Sequence, residues 1–157
     1  MAETLRRPAG WEDLLAQPEG GKAEVPAGEL LVSPRPCPAH GRTQVILSSR
    51  IGPPFDLGEG GPGGWWILIE PDVQFGPHDI VNPDLVGWRR ERVPDLPEEQ
   101  PISIVPDWVC EVISPRTARR DRTVKADLYL RSGVPHVGSL FPPAPAAGDA
   151  PASTPGR

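Results

Sequence analysis

The chain of 157 residues lacks the features that mark disulfide-rich proteins, membrane-spanning proteins and strongly basic nucleic-acid-binding proteins. Its two cysteines, Cys37 and Cys110, lie far apart and form neither a CxxC metal motif nor a disulfide framework. No stretch approaches the length of a transmembrane helix, and the first residues contain no apolar signal-peptide core. Basic residues are in the minority, with 16 Lys and Arg against 21 Asp and Glu. We therefore expect a reduced, cytoplasmic protein that has no membrane partner and does not coat nucleic acid through overall positive charge.

Residues that form turns are abundant, with 23 prolines and 17 glycines. Because they are spread along the chain, they predict short elements joined by tight turns. We expect an N-terminal helical segment over residues 1–20 and one folded domain over residues 21–141. The remaining residues, 142–157, are rich in Pro and Ala, and we expect this tail to be disordered.

Hydrophobic periodicity predicts a mixture of helices and strands. Helices are expected at residues 8–16, 40–52 and 119–132, the second with Val45 and Ile46 facing inward. Strands are expected at residues 23–25 and 29–32 as a hairpin, at 65–70 continued by 73–75, at 80–89 with an interruption at 82–83, and at 108–113. The glycine-rich segment 58–64 precedes a strand and contains no lysine, so it indicates a flexible turn and not a phosphate-binding loop.

Two of these apolar strand-like segments contain a carboxylate, Asp84 in one and Glu111 in the other. A buried, unpaired carboxylate costs several kcal/mol or becomes protonated. Both acids therefore require a cation, which is either a basic side chain or a bound metal ion. Lys125 follows Glu111 on a predicted helix and supplies one candidate. Ion pairs with the arginines of residues 116–122 are the structural alternative to a metal site.

Several short motifs occur in a fixed order between residues 20 and 136, and their order and spacing are more specific than any one of them. They are Gly28-Glu-Leu-Leu-Val-Ser-Pro34, His40, Glu70-Pro-Asp72, Pro83-Asp-Leu85, Glu111-Val-Ile-Ser-Pro115, Thr117, Asp121-Arg-Thr-Val-Lys125, Tyr129 and Gly133-Val-Pro135. In these motifs the chain resembles the Uma-type family of restriction endonucleases, which is placed in the PD-(D/E)XK nuclease superfamily. The resemblance implies an α/β, restriction-endonuclease-like core with a mixed central β-sheet flanked by helices.

The resemblance also implies a catalytic set of Asp84, Glu111 and Lys125, in which the two acids bind Mg²⁺ or Mn²⁺. Ile113 occupies the position at which the superfamily pattern has its lysine, so Lys125 corresponds to that lysine displaced onto the following helix. Hard oxygen ligands suit both ions, and a bound ion lowers the pKa of water and neutralises charge on a phosphate. The lysine can orient or deprotonate the water, or hold the phosphate as a point charge.

Five further residues are candidates for the same site, one of them weaker than the others. Glu70 ends an apolar strand at a position that the family pattern includes, with a simple strand-end charge as the alternative. Glu24 lies in the hairpin where family members have site acids, and Glu29 in the same hairpin is a weaker candidate. Asp121 shares a helical face with Lys125 and forms either a surface pair or a part of the site. His40 opens a predicted helix, where a capping or core histidine is the alternative to a site residue.

The family pattern stops after Gly133-Val-Pro135, and the Pro/Ala-rich tail begins a few residues later. We therefore expect the domain to be incomplete at its C-terminal end and the sheet to lack its last strands, including the strand beside the one with Glu111. The predicted function is a metal-dependent endonuclease that hydrolyses phosphodiester bonds in DNA. The alternative is a catalytically inactive truncated remnant or a non-enzymatic nucleic-acid-binding module, and hydrolysis of another phosphoester stays open. A homodimer would suit cleavage of both DNA strands, although no residue pattern marks an interface.

Overall fold

The computed structural model describes residues 7–113 and 120–142, with side chains in the second range described from residue 123 onward. The helices are α1 (Trp11–Leu15), α2 (Pro38–Ile51) and α3 (Arg120–Arg131), and a π-helical segment, Gly52–Leu57, follows α2 directly. The strands are β1 (Lys22–Glu24), β2 (Leu31–Ser33), β3 (Trp65–Ile69), β4 (Val73–Gly76), β5 (Asp79–Val81), β6 (Leu85–Arg89), β7 (Trp108–Val112) and β8 (His136–Leu140).

Four strands form the central sheet in the order β3-β6-β7-β8. Strands β3, β6 and β7 are antiparallel neighbours, whereas β8 runs parallel to β7. Helix α3 connects β7 to β8, because two parallel neighbours need a crossover between them. Helix α3 contacts β8 and helix α2 contacts β7. The expected mixed sheet with flanking helices is thus confirmed.

Two short hairpins lie beside the central sheet. Strand β1 pairs with β2 and strand β4 pairs with β5, both antiparallel. An isolated bridge between Val25 and Ile80 joins the two hairpins through reciprocal N–H···O bonds of 2.6 and 2.8 Å. This bridge brings the end of β1 to the segment that leads into β6, which is where Asp84 lies.

The hydrophobic core joins α3 to one face of the sheet. Leu128 and Tyr129 of α3 are fully buried among Val86 and Trp88 of β6 and Val109 of β7. Burial of each large apolar side chain contributes about 1.5–3 kcal/mol relative to exposure, so these contacts fix α3 over β7. The predicted helix at residues 119–132 and the predicted strand at 108–113 are both confirmed to within one residue.

The prediction of one strand through residues 65–75 is wrong. Strand β3 ends at Ile69, and Glu70 takes a left-handed backbone conformation with φ of 51°. The chain then turns away, and β4 pairs with β5 outside the central sheet. Residues 80–89 likewise form two strands in different sheets, separated at Asn82 and Pro83, because proline cannot donate to a strand ladder.

The prediction that the strand beside β7 is missing is also wrong. Strand β8 occupies that position and pairs with β7 from Trp108–His136 to Val112–Leu140. The predicted tail at residues 142–157 lies, from residue 143 onward, outside the described residues.

The inward face of α2 differs from the prediction. Val45 and Ile46 are exposed, whereas His40 and Thr43 are buried. The helix begins at Pro38, two residues before the predicted start, since proline is well suited to the first helical position. Helix α2 therefore presents polar side chains toward the protein. None of the helices in the described part of the chain has the length and apolar character that spanning a bilayer requires.

Candidate active site

Asp84 lies directly before β6, at the edge of the antiparallel β6–β7 ladder. The last paired position is Leu85 with Cys110, so the next position places Asp84 across from Glu111. Only 2% of Asp84 is exposed, and the backbone N–H of Val112 donates to its Oδ2 at 2.7 Å. The end of β7 thereby holds one carboxylate oxygen and leaves Oδ1 for other partners.

Side chains from α2 and β1 converge on Oδ1 of Asp84. His40 Nε2 lies 3.0 Å away, Lys22 Nζ lies 3.3 Å away and Gln44 Nε2 lies 3.4 Å away. Gln44 also donates to Oε1 of Glu70 at 2.9 Å. His40 and Gln44 are four residues apart on α2, so they share the face that points to Asp84. We call Asp84, His40, Lys22, Gln44 and Glu70 the Asp84 cluster.

Three members of the Asp84 cluster could hold a metal ion together. One ligand atom each from His40, Glu70 and Asp84 can be chosen so that all lie within 4.8 Å of one another. Two carboxylate oxygens and one imidazole nitrogen form a donor set that suits Mn²⁺, since imidazole binds transition metals better than it binds Mg²⁺. The left-handed backbone of Glu70 costs about 1–3 kcal/mol and is typical of a functional position.

A second group of polar residues surrounds Lys125. Its Nζ lies 2.7 Å from Oε1 of Glu111 and 2.8 Å from Oε1 of Glu24. The hydroxyl of Tyr129 donates to Oε1 of Glu111, and the backbone N–H of Asn82 donates to Oε1 of Glu24 at 2.7 Å. We call Lys125, Glu111, Glu24 and Tyr129 the Lys125 cluster. Its lysine bridges two carboxylates in a nearly closed setting, with 9% of the Lys125 side chain exposed.

The carboxylates decide the protonation of this cluster. Burial by itself lowers the pKa of Lys125, but the charges of Glu111 and Glu24 outweigh it and raise that pKa well above its ordinary value. Burial raises the pKa of Tyr129 well above its ordinary value, with Glu111 acting in the same direction. At neutral pH Lys125 is therefore charged, and Tyr129 is a neutral hydrogen-bond donor.

A polar cavity of about 400 Å³ opens beside the Asp84 cluster. Lys22 and Glu70 line it, together with Arg35, Asp72 and Asn82. Burial raises the pKa of the Asp72 carboxyl above its usual value. Asn82 Nδ2 donates to the backbone oxygen of Glu70 and thus holds that residue at the rim. Of the Asp84 cluster, Lys22 and Glu70 are thus accessible from the cavity.

A model of the Uma2 family, described as "Putative restriction endonuclease", matches residues 11–142. The chain belongs to this family. A solved structure is also similar, the "Crystal structure of a putative nuclease belonging to DUF820 from Anabaena variabilis ATCC 29413". It shares 23% sequence identity with a TM-score of 0.68, over 85% of this chain and 74% of that one, and this likeness shows a common fold. No curated protein was found to match the chain.

The structure places the candidates of this Uma2 chain in two neighbouring groups. Asp84, His40 and Glu70 meet in one group, whereas Glu111, Glu24 and Lys125 meet in the other. Glu111 does not belong to the three-residue set that could hold an ion, so its role as a metal ligand stays a prediction.

Three other predictions about this Uma2 chain have separate outcomes. His40 is three residues beyond the N-cap, which is Cys37, and it contacts Asp84 instead of capping α2. Glu29 is exposed in the loop between β1 and β2. The side chains of Asp121 and of the arginines in residues 116–122 lie outside the described residues, so neither role is tested.

Sequence reasoning missed Lys22 and Gln44, and it gave Tyr129 no part in the site. Each has a spacing signal that could have found it. Lys22 is two residues before Glu24 on a strand, so the two side chains share a face. Gln44 follows His40 by four residues and Tyr129 follows Lys125 by four, which is the spacing of neighbours on a helix.

The arginines of residues 89–92 lie at the opposite end of β6 from Asp84. Arg90 pairs with Asp56 at 2.6 Å and stacks on Trp66, and Arg92 pairs with Asp107 at 3.1 Å. Arg89, at the end of β6, has its guanidinium over the ring of Trp65. These contacts tie loops to the sheet, so the arginine run has a structural role at a distance from the Asp84 cluster.

Proposed function

We propose that this protein is a metal-dependent endonuclease that hydrolyses phosphodiester bonds in DNA. The observation that carries the proposal is the group of His40, Glu70 and Asp84 beside an open polar cavity. A buried, charged lysine lies in the adjoining cluster, at Glu111. The family match and the fold shared with a protein titled "a putative nuclease" support this reaction class.

His40, Glu70 and Asp84 would hold the metal ion, and the imidazole favours Mn²⁺ over Mg²⁺. When bound, such an ion lowers the pKa of a coordinated water and neutralises charge on the scissile phosphate. Glu111 is the second metal-binding acid by family resemblance. We propose that it adds to the negative potential of the site while Tyr129 fixes its orientation.

Lys125 supplies a fixed positive charge and not a base. Its raised pKa keeps the ammonium protonated at neutral pH, so it cannot take a proton from water there. A buried positive charge near the reacting phosphate favours the extra negative charge of the transition state. Gln44, which donates to Glu70 and Asp84, holds the two carboxylates in their relative positions.

Nicking of supercoiled plasmid DNA tests the proposal. We expect nicking that requires Mn²⁺ or Mg²⁺ and that falls at least about 100-fold in Asp84→Asn, because an oriented metal ligand is lost. Asp56→Asn is the matched control, since it removes a carboxylate that pairs with Arg90 at the far end of β6. Equal nicking by Asp84→Asn, or nicking without metal, would contradict the proposal. DNA binding with no cleavage at all would favour the non-enzymatic alternative.

A thermal melt with Mn²⁺ shows which acids hold the ion. At about 100 times its Kd, a bound ion stabilises the folded state by about 2.7 kcal/mol. We expect Asp84→Asn to lose this stabilisation and Glu111→Gln to keep a measurable part of it. If both variants lose it fully, the ion is shared by the two clusters and Glu111 is a ligand of equal weight. The expected cytoplasmic location and the homodimer stay predictions from the sequence.

A further inference from the structure

Lys22 occupies a position that a metal ion would contest. Its Nζ lies 3.3 Å from Oδ1 of Asp84, the same oxygen that His40 contacts. The other oxygen, Oδ2, accepts the backbone N–H of Val112. An ion that binds Asp84 on the side of His40 approaches Oδ1, where it would meet the ammonium group of Lys22 as a like charge at short range.

Lys22 also faces the cavity. It lines the space of about 400 Å³ together with Glu70 and Arg35, and 19% of its side chain is exposed. Lys125, by contrast, bridges two carboxylates and is 9% exposed. A lysine that is displaced from Asp84 can thus turn into the cavity without crossing the core, and a cavity of this size is typical of ligand sites.

We propose that Lys22 is an exchangeable cation that couples metal binding to phosphate binding. Without metal, its ammonium neutralises Asp84. With metal at His40, Glu70 and Asp84, the ammonium turns into the cavity and binds a phosphate of the substrate backbone, with Arg35 beside it. This inference rests on the proposed function, and it assigns the cavity as the subsite for a phosphate next to the one that is cleaved.

The charges that line the cavity also couple phosphate binding to metal binding. Glu70 and Asp72 both line it, and their negative charges disfavour an anion while the site holds no metal. A metal ion on Glu70 removes one of these charges and releases the Lys22 ammonium. Metal and phosphodiester therefore bind cooperatively, and each raises the affinity of the other by the same factor.

Mn²⁺ binding without DNA provides the first test, read as the loss of the free Mn²⁺ signal in electron paramagnetic resonance. Lys22→Met should bind Mn²⁺ about three- to tenfold more tightly than the wild type, because a competing charge at Asp84 is gone. Lys22→Arg is the matched control, since it keeps the charge and should bind Mn²⁺ as the wild type does. Unchanged or weaker Mn²⁺ binding by Lys22→Met overturns the proposal, because a purely structural lysine would give that result.

DNA binding provides the second test, with a short duplex and saturating Mn²⁺, read by stopped-flow anisotropy before cleavage occurs. Lys22→Met should bind the duplex about tenfold more weakly, and the slope of log K against log salt should fall by about 1, as for the loss of one phosphate contact. An unchanged slope overturns the phosphate role. The Mn²⁺ affinity of the wild type should also rise when DNA is present, and this rise should be smaller in Lys22→Met, in which only the direct contact of the ion with the phosphate and the charge of Glu70 still couple the two ligands.

The outcomes separate this inference from the proposed function. If the wild type binds Mn²⁺ and cleaves DNA while Lys22→Met matches it in both affinities, only the role of Lys22 is wrong. If the wild type binds no Mn²⁺, both proposals are wrong. A thermal melt of each variant checks folding, and Lys22→Gln, which removes the charge but keeps a hydrogen-bond donor for Asp84, replaces Lys22→Met if that variant does not fold.

Discussion

The Asp84 cluster and the Lys125 cluster each have to compensate the negative charge of two carboxylates, and they do so in different ways. Each contains two carboxylates and receives one residue from β1, Lys22 or Glu24. In the Lys125 cluster one lysine bridges both carboxylates at 2.7 and 2.8 Å, and Tyr129 and a backbone N–H complete the contacts. In the Asp84 cluster the contacts of His40 and Lys22 to Asp84 are longer, Glu70 is exposed, and a cavity lies alongside.

This difference shows how one carboxylate pair becomes part of the framework and the other becomes a candidate site. In the Lys125 cluster the lysine compensates both carboxylates within the chain, while the role of Glu111 as a metal ligand stays a prediction. In the Asp84 cluster the contacts are longer, and Lys22 and Glu70 line a cavity, which is why we propose that the cation at Asp84 is exchangeable for a metal ion. The closed cluster also fixes β1, β7 and α3 around the open one, so it positions the candidate site whether or not metal is bound.

The largest difference between the clusters should appear when each lysine is removed. Lys125→Met leaves Glu24 and Glu111 buried without their cation and should destabilise the fold by about 3–5 kcal/mol. Lys22→Met should cost less, about 1–3 kcal/mol, because its pair with Asp84 is longer and because His40, Gln44 and the backbone N–H of Val112 also contact that buried carboxylate. Urea unfolding measures both values.

Two results would break this comparison. Equal losses in the two lysine variants would show that the clusters do not differ as described. If Lys125→Met does not fold, the double variant Lys125→Met with Glu24→Gln should recover part of the stability, because one of the two uncompensated charges is removed. Failure of that double variant to recover any stability would mean that Lys125 acts through its apolar contacts.

The pKa of the Cys110 thiol depends on charges in both clusters. Burial, and then the charges of Glu111 and Asp84, raise its pKa from 9.0 to about 11. The folded state therefore keeps this proton at pH values where the unfolded chain loses it. The contribution of this thiol to the free energy of unfolding is fully present below about pH 9 and is lost as the pH rises toward 11. The expected loss is about 3 kcal/mol.

Urea unfolding at a series of alkaline pH values, compared between wild type and Cys110→Ala, isolates this loss. Lys125 also has a raised pKa and loses its stabilising charge at high pH, but that contribution is common to both proteins and cancels in the difference. In Glu111→Gln and Asp84→Asn the pKa of the Cys110 thiol should be raised less, so the pH range over which stability is lost should narrow. Identical pH profiles for wild type and Cys110→Ala would show that the thiol is not held in this environment.

The smallest expected effect concerns the backbone of Glu70. At its φ of 51°, glycine is tolerated and alanine is strained, so Glu70→Gly should be more stable than Glu70→Ala by about 1 kcal/mol. Both variants remove the same carboxylate, so Mn²⁺ binding should fall equally in the two. Thermal melts and Mn²⁺ titrations of the pair measure both quantities. If Glu70→Ala is the more stable variant, the left-handed conformation is absent in solution.

The sequence was sufficient to predict most elements and to select Asp84, Glu111, Lys125, Glu24 and Glu70 as candidates. A carboxylate within an apolar strand pattern is a local signal, because its neighbours show that it will be buried. The inward face of α2 was not predictable in this way. Val45 and Ile46 satisfy the usual apolar pattern, yet the helix turns His40 and Thr43 inward because that face lies against the polar cluster.

The break at Glu70 was missed for a related reason. Pro71 and Asp72 follow Glu70 and are a local break signal, but apolar residues resume at Val73, and the prediction treated them as a continuation of the strand. The structure places the two halves in different sheets because the β4–β5 hairpin pairs with itself and its Ile80 bridges to Val25. Such pairings depend on residues that are distant in the chain.

By itself, the sequence determined where most helices and strands lie and which strands contain a charge that requires a partner, although it did not predict β8 or the break between β3 and β4. These properties follow from local patterns of apolar and polar residues. Only the tertiary structure decided which partner each charge has. Lys22 reaches Asp84 across 62 residues and Lys125 reaches Glu24 across 101. Electrostatic compensation acts through space, so the division into a closed cluster and an open one exists only when the strands and helices are assembled.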